Sequence, residues 1–207
     1  MTNRQLVEQV YLVLSGGQAA DDTNVKLVDI ESALPSFVDD VNLAAYRAMR
    51  AESSAAANGD VFSSDAIYSS LSTIEFTADY SSDDKCHIAT MTKMPLSGAS
   101  AMHDVSIKNN EAAQLIRFAS RSDAFLSPFK GYFLDGDKIY LRNLPTVSTP
   151  TILFRSIFKC PSALGDDDQV PVIEGYETVL MDKLIAFFAK QLGITISPPD
   201  NVQQPKP

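Results

Sequence analysis

The chain carries helical patterns at both ends and a strand-rich stretch between them, an order that restricts the fold more than any single motif does. Leu6, Val7, Val10, Tyr11 and Leu14 recur at steps of three and four residues, which predicts one apolar face of a helix from about residue 3 to Ser15. Gly16-Gly17 ends it, because glycine accepts the left-handed backbone favoured just past a helix. Asp21, Asp22 and Thr23 can each cap a second helix by accepting backbone N–H bonds. Val25, Val28, Leu34, Phe37, Val38, Val41, Ala45 and Met49 keep helical spacing in that helix. Pro35 interrupts it, and a proline inside a helix removes one hydrogen bond and crowds the preceding turn, so a kink or a split is expected near Leu34. At the other end Tyr176, Val179, Leu180, Leu184, Phe187, Phe188 and Leu192 predict an amphipathic helix from about Glu174 to Leu192, with Gly193 as its stop.

Between these segments, residues 51–72 shift to Ser, Ala, Asn, Gly and Asp and read as a long surface loop, with a short helical piece around Asp65 to Leu71 as one option. Strand signals then begin. Thr73 to Tyr80 alternates apolar and polar residues, Asp83-Asp84 makes a turn, and His87 to Met91 makes a second strand. Met102 to Ile107 reads as a third strand, and Glu111 to Ser120 as a short helix or an irregular crossover. Tyr132 to Leu141 is the clearest hairpin, with Asp135-Gly136 matching the dipeptide preferred in a type I′ turn. Thr151 to Phe158 is the last strong strand, and Gly165-Asp166-Asp167-Asp168 is a solvated turn.

The wide apolar stripe of the closing helix needs a partner, and the two N-terminal helices are the natural one. The expected fold is therefore α+β. A helical bundle forms from two N-terminal helices and the C-terminal helix, with a central antiparallel β subdomain. The expected boundaries are an N-terminal helical hairpin at 1–50, a flexible loop at 51–72, a β-rich subdomain at 73–170, the C-terminal helix at 171–193 and an extended Pro-rich arm at 194–207. Within that arm Pro198, Pro199, Pro205 and Pro207 hold the chain extended, and Val202 is the one sizeable apolar side chain of Ser197 to Pro207. These features suit a segment that docks along a neighbouring subunit, or equally a tail that stays free.

A chain of 207 residues is long enough for a good core and is most simply one domain with a subdomain. The formal charge of −9, with Lys and Arg scattered singly, argues against gripping a nucleic-acid backbone. An acidic surface still suits DNA that must slide past without sticking. Met1-Thr2-Asn3-Arg4-Gln5 lacks an apolar run and a cleavage site, so no secretory signal is expected. No run approaches the roughly eighteen consecutive apolar residues of a membrane span. Cys86 and Cys160 read as two buried free thiols in a reducing compartment.

Chemistry-bearing patterns are sparse. His87 follows Cys86 in a predicted strand, so the two side chains point to opposite faces and cannot chelate one metal; His103 lies sixteen residues further on. No metal-ligand spacing and no phosphate-cradling glycine run occurs. A Cys160–His87 or Cys160–His103 nucleophilic pair is formally available but has no recognisable local signature. Asp21-Asp22, Asp39-Asp40, Asp83-Asp84 and Asp166 to Asp168 read as caps and solvated turns; the last lacks the alternating ligands of a calcium loop. No catalytic, cofactor-binding or metal-binding residue is expected.

The helix ending in Ser15-Gly16-Gly17, the Asp21-Asp22 opening of the next, the β-rich centre with a glycine-containing hairpin and the Pro171-to-Tyr176 entry into the last helix resemble a known texture. It is that of the head-to-tail connector, or ring, proteins of tailed phages, of the crAss-like podovirus type. The resemblance spans residues 3–193, leaving out the 51–72 loop. It implies a non-enzymatic virion component, assembled in the host cytoplasm into a homo-oligomeric ring, commonly twelvefold. It also implies contacts with the portal and other neck or tail proteins, no membrane, and genomic DNA passing through the lumen. Other virion components, a soluble protein-binding module and an enzyme are the competing classes.

Overall fold

The computed structural model describes residues 1–16, 25–56, 71–96, 104–108, 110–118, 122, 124, 127–145 and 149–193. The class is α+β. The chain forms two compact units, one from Met1–Tyr46 with Cys160–Pro207 and one from Arg47–Lys159.

The first unit is helical. Helix α1 spans Asn3–Leu14 and buries Leu6, Val7, Val10 and Leu14, the face its periodicity predicts. Thr2 starts it with a capping box: the Gln5 N–H donates to Thr2 Oγ1 at 3.3 Å, and the Thr2 N–H donates to Gln5 Oε1 at 3.1 Å. The next two free donors are met by the aspartate-rich turn, since the Asn3 N–H reaches the Asp168 carbonyl at 2.9 Å and the Arg4 N–H the Asp166 carbonyl at 3.1 Å. The turn expected to be merely solvated is thus the seat of α1. Gly16 takes φ +65° and closes the helix.

Helix α2 spans Leu27–Ala56 without a break. Of the kink or split expected near Leu34, the split does not occur, although an internal proline costs a helix about 3 kcal/mol. Ile30, Leu34, Val38, Val41 and Ala45 form one buried stripe running past Pro35, and that burial outweighs the lost bond. The helix also runs on to Ala56, so 51–56 are helical backbone and not part of a loop. The caps expected at Asp21, Asp22 and Thr23 lie outside the described residues, as do positions 57–70 of the expected loop.

Helix α3 spans Glu177–Leu192 and buries Leu180, Leu184, Phe188 and Ala189. It starts later than the expected Glu174 because Gly175 adopts φ +87°, which cannot belong to a right-handed helix. Gly193 closes it in the left-handed region, as its position predicts. Side chains of all three helices share one core, and the Phe37 and Phe187 rings meet edge to face at 5.2 Å. The closest backbone approach is α1 to α3, so the hairpin expected of the first two helices is not the dominant pairing.

Among its described residues the second unit takes in the end of α2 from Arg47 and nine strands: β1 (Ser72–Thr77), β2 (Asp79–Ser81), β3 (Cys86–Thr90), β4 (Asp104–Ile107), β5 (Asn110–Gln114), β6 (Ile116–Arg117), β7 (Gly131–Asp135), β8 (Lys138–Arg142) and β9 (Thr151–Ser156). One sheet has the order β1-β9-β4-β5 and the other β2-β3-β8-β7-β6. The single strand expected over 73–80 is in fact β1 and β2, in different sheets. The chain bends between them at Ala78, which is fully buried and whose N–H donates to the Pro150 carbonyl at 3.0 Å. The helix or crossover expected over 111–120 is β5 and β6, divided at Leu115, whose N–H donates to the Val105 carbonyl at 2.8 Å. The helical propensity of that segment yields to the ladder bonds offered by β4 and β7.

Each end strand of one sheet therefore continues into an end strand of the other. Followed through the two bends, the order closes on itself as β1/β2, β3, β8, β7, β6/β5, β4, β9: a flattened barrel whose corners are strands that change sheets. Phe76, Val105, Ile152 and Phe154 from one sheet share a core with Ala89, Tyr132, Ile139 and Leu141 from the other. The pairings are antiparallel except β6 with β7, which is parallel because β6 arrives through the bend and not through a hairpin. There the backbones are so close that a Cβ on Gly131 would collide with the Ile116 carbonyl oxygen.

The β7–β8 hairpin falls where expected, but its turn differs. Asp135 pairs with Lys138, which leaves Gly136 and Asp137 as the loop. Gly136 has φ +59° and Asp137 does not have positive φ, the pattern of a type II′ turn with glycine first. The strand-rich unit ends at Lys159, not at 170; residues 160–173 belong with the helices. The arm at 194–207 lies outside the described residues.

Candidate functional site

Cys160 belongs to the helical unit and His87 to the barrel, and His103 lies outside the described residues. The Cys160 N–H donates to Asp39 Oδ1 at 2.8 Å. Burial pushes the Cys160 thiol up to about 11, with the negative charge of Asp39 adding to the rise. Such a thiol keeps its proton at neutral pH, and the thiolate is the form that attacks. His87 on β3 is 1% exposed and faces Tyr80 edge-on at 5.3 Å. Cys86 is likewise buried, and both cysteines are free thiols.

Two of the aspartate turns are held by their own side chains. Asp168 Oδ2 accepts from the Gly165 N–H at 2.7 Å, and Ser81 Oγ ties Asp84 into its turn. Among the described residues no group of three His, Cys, Asp or Glu side chains is placed to hold a metal ion.

Two asparagines that no sequence motif singles out emerge instead. Asn42 on α2 is buried, its Nδ2 donating to the Pro171 carbonyl at 2.8 Å and its Oδ1 accepting from the Ile173 N–H at 2.9 Å. It offers the 171–173 segment the donor and acceptor that a neighbouring strand would. A signal was present: Asn42 falls on the apolar stripe of its helix, four residues after Val38, where a polar side chain must find partners.

Asn3 is the second. It is 4% exposed, and its Nδ2 donates to the Leu164 carbonyl at 3.1 Å. Its Oδ1 is buried with no partner among the described residues. Asn3 lines an open notch of about 210 Å³ with Val28, Glu31, Leu34, Pro35 and Leu164 among its other walls.

No described helix is long and apolar enough to cross a membrane. No protein-family model and no curated protein matches the chain.

Proposed function

We propose that this chain is a non-enzymatic structural subunit of a phage virion neck, forming a homo-oligomeric ring between portal and tail around the DNA channel. The reading rests first on the resemblance in element order. One structural observation adds support: the helical unit leaves Leu12, Val13, Leu27, Val28, Val179 and Phe187 exposed. Large apolar side chains left in water favour burial in a protein contact, and a ring provides it through repeated head-to-tail interfaces. The Pro-rich segment Ser197 to Pro207 would serve as an arm on the next subunit, since its prolines stiffen it before docking. The net charge of −9 suits a lumen through which DNA passes without adhering.

Mass measurement after size exclusion, with negative-stain imaging, tests this reading. Closed rings are expected from the full chain, and from a chain truncated after Gly193 a stable monomer that fails to assemble. A full chain that stays monomeric at every concentration, also with its portal partner present, removes the ring. Hydrolytic activity lost on Cys160→Ala would replace it with an enzyme.

A further inference from the structure

We infer that Phe129 and Ile116, with Arg117 and Lys130 beside them, form a docking patch on the barrel that engages the helical unit of a second copy of this chain. The inference deepens the ring reading and rests on it only for the second copy. Two exposed apolar side chains and two cations come together where β6 meets β7. Phe129 is 63% exposed and Ile116 51%. The Ile116 N–H donates to the Lys130 carbonyl at 3.4 Å, and Ile116 and Arg117 pair with Gly131 and Tyr132, so the four residues lie on adjoining backbone. Arg117 and Lys130 are exposed and form no ion pair among the described residues.

The backbone beneath Phe129 is tied down. Asn143 Nδ2 donates to the Ser127 carbonyl at 2.9 Å and to the Phe129 carbonyl at 2.7 Å, and the Phe129 N–H donates to Ser127 Oγ at 3.2 Å. Pro128 fixes one more torsion of the same turn. Asn143 reaches both carbonyls from a left-handed backbone, φ +61°, which asparagine enters more readily than most residues. A turn fixed in this way holds a large aromatic side chain in water, where it buries little. Docking it costs less entropy than docking a loose loop, and aromatic anchors carry much of the energy of protein contacts.

The charge of the chain says what the patch meets. Met1–Tyr46 with Cys160–Pro207 holds fourteen Asp and Glu against five Lys and Arg, a net −9, whereas Arg47–Lys159 holds twelve of each and is neutral. The helical unit thus carries the whole net charge, and it also leaves Leu12, Val13, Leu27 and Val28 exposed. It complements the patch twice over, anionic against cationic and apolar against apolar. Patch against patch would set Arg117 and Lys130 on their own copies, and helical unit against helical unit would set one −9 on another. A contact from barrel to helical unit avoids both, and such a heterologous contact is the kind that closes rings. Nucleic acid and anionic lipid also offer negative charge, but either repels the −9 that the chain brings with the patch, and two cations release few counterions.

Sedimentation velocity of the full chain over a concentration series tests this. Self-association is expected, weakened at least about tenfold in Phe129→Asp and again in the double variant Arg117→Glu with Lys130→Glu. These side chains are exposed, so thermal melts of both variants should match the wild type. Association of the wild type should also weaken as salt is raised. Association unchanged in either variant overturns the patch and leaves the ring standing. A wild type that associates through the patch into dimers or open chains keeps the patch and removes the ring. A wild type monomeric at every concentration overturns the second copy as occupant; binding of that monomer to a thymidine oligonucleotide or to phosphatidylserine vesicles, lost in Phe129→Asp, would assign the patch to nucleic acid or membrane instead.

Discussion

The helical unit and the barrel solve the same problem with opposite parts of the chain. In a helix the backbone groups bond within their own segment, so they do little to join one segment to another. Among the described residues, backbone bonds seat only the start of α1 on the 166–170 turn; joining α2 to the returning 160–173 segment falls to shared apolar faces and to side chains reaching backbone, as Asp39 and Asn42 do. In the barrel the backbone ladder itself does the joining, and side chains fill the space between the sheets. The helical unit should therefore be sensitive to which polar side chain is present. The barrel should be sensitive to anything that keeps two backbones apart.

The largest effect is expected at the helical core. Leu184→Ala removes a fully buried side chain and should cost roughly 2–5 kcal/mol in denaturant melts; a change under about half a kcal/mol would show that this face of α3 is not core. Next comes Gly131→Ala, where one methyl group meets the Ile116 carbonyl and the Phe118 ring. Because backbone must move, the loss should be about 3 kcal/mol, the upper part of the overpacking range. Amide exchange should speed up at β6 and β7, and exchange unchanged there would deny the close approach. Asn42→Ala should cost about 2 kcal/mol, since the Ile173 N–H and the Pro171 carbonyl lose their partner. Faster exchange at Ile173, with the strands unaffected, would sharpen the contrast between the units.

The smallest effect is a pH dependence. The Cys160 thiol is raised from the ordinary value near 9 to about 11. Below the unfolded value both states hold the proton, and the preference for the neutral thiol is fully present. Above it the unfolded chain releases its proton first, so stability falls as pH rises from about 9 through about 11. The difference between wild type and Cys160→Ala should therefore shrink over that interval, and a constant difference would contradict it.

The helices were legible because burial imposes a period on them: the spacing of Leu6, Val7, Val10 and Leu14 is enough to define the face that α1 buries. Gly193 was legible because few residues other than glycine enter the left-handed region cheaply. The barrel was legible as strands but not as a closed circuit. Ala78 and Leu115, where strands change sheets, are ordinary apolar residues in the sequence, and their meaning comes from Pro150 and Val105, far along the chain. The hairpin shows the limit of a dipeptide rule, since the pairing of Asp135 with Lys138 moved the loop by one residue and changed its turn. Pro35 shows a related limit: the split it allowed does not occur, since a local penalty was outweighed by a stripe of burial. Asn3 could not be read as a notch residue at all, because its setting depends on residues 162–164.

The division of the helical unit between Met1–Tyr46 and the residues from Cys160 onward also sets a timetable for synthesis. The chain leaves the ribosome at about 5–20 residues per second, so on the order of ten seconds separate the emergence of α1 and the first part of α2 from that of α3. During that delay Leu6, Val10, Ile30 and Val38 lack the side chains of Leu180, Leu184 and Phe188 that complete their core. The residues of the barrel, contiguous in the sequence, are all available before then. The helical unit is thus the last to be finished, and chains halted before α3 would carry an unfinished, sticky pair of helices as well as the strands of the barrel.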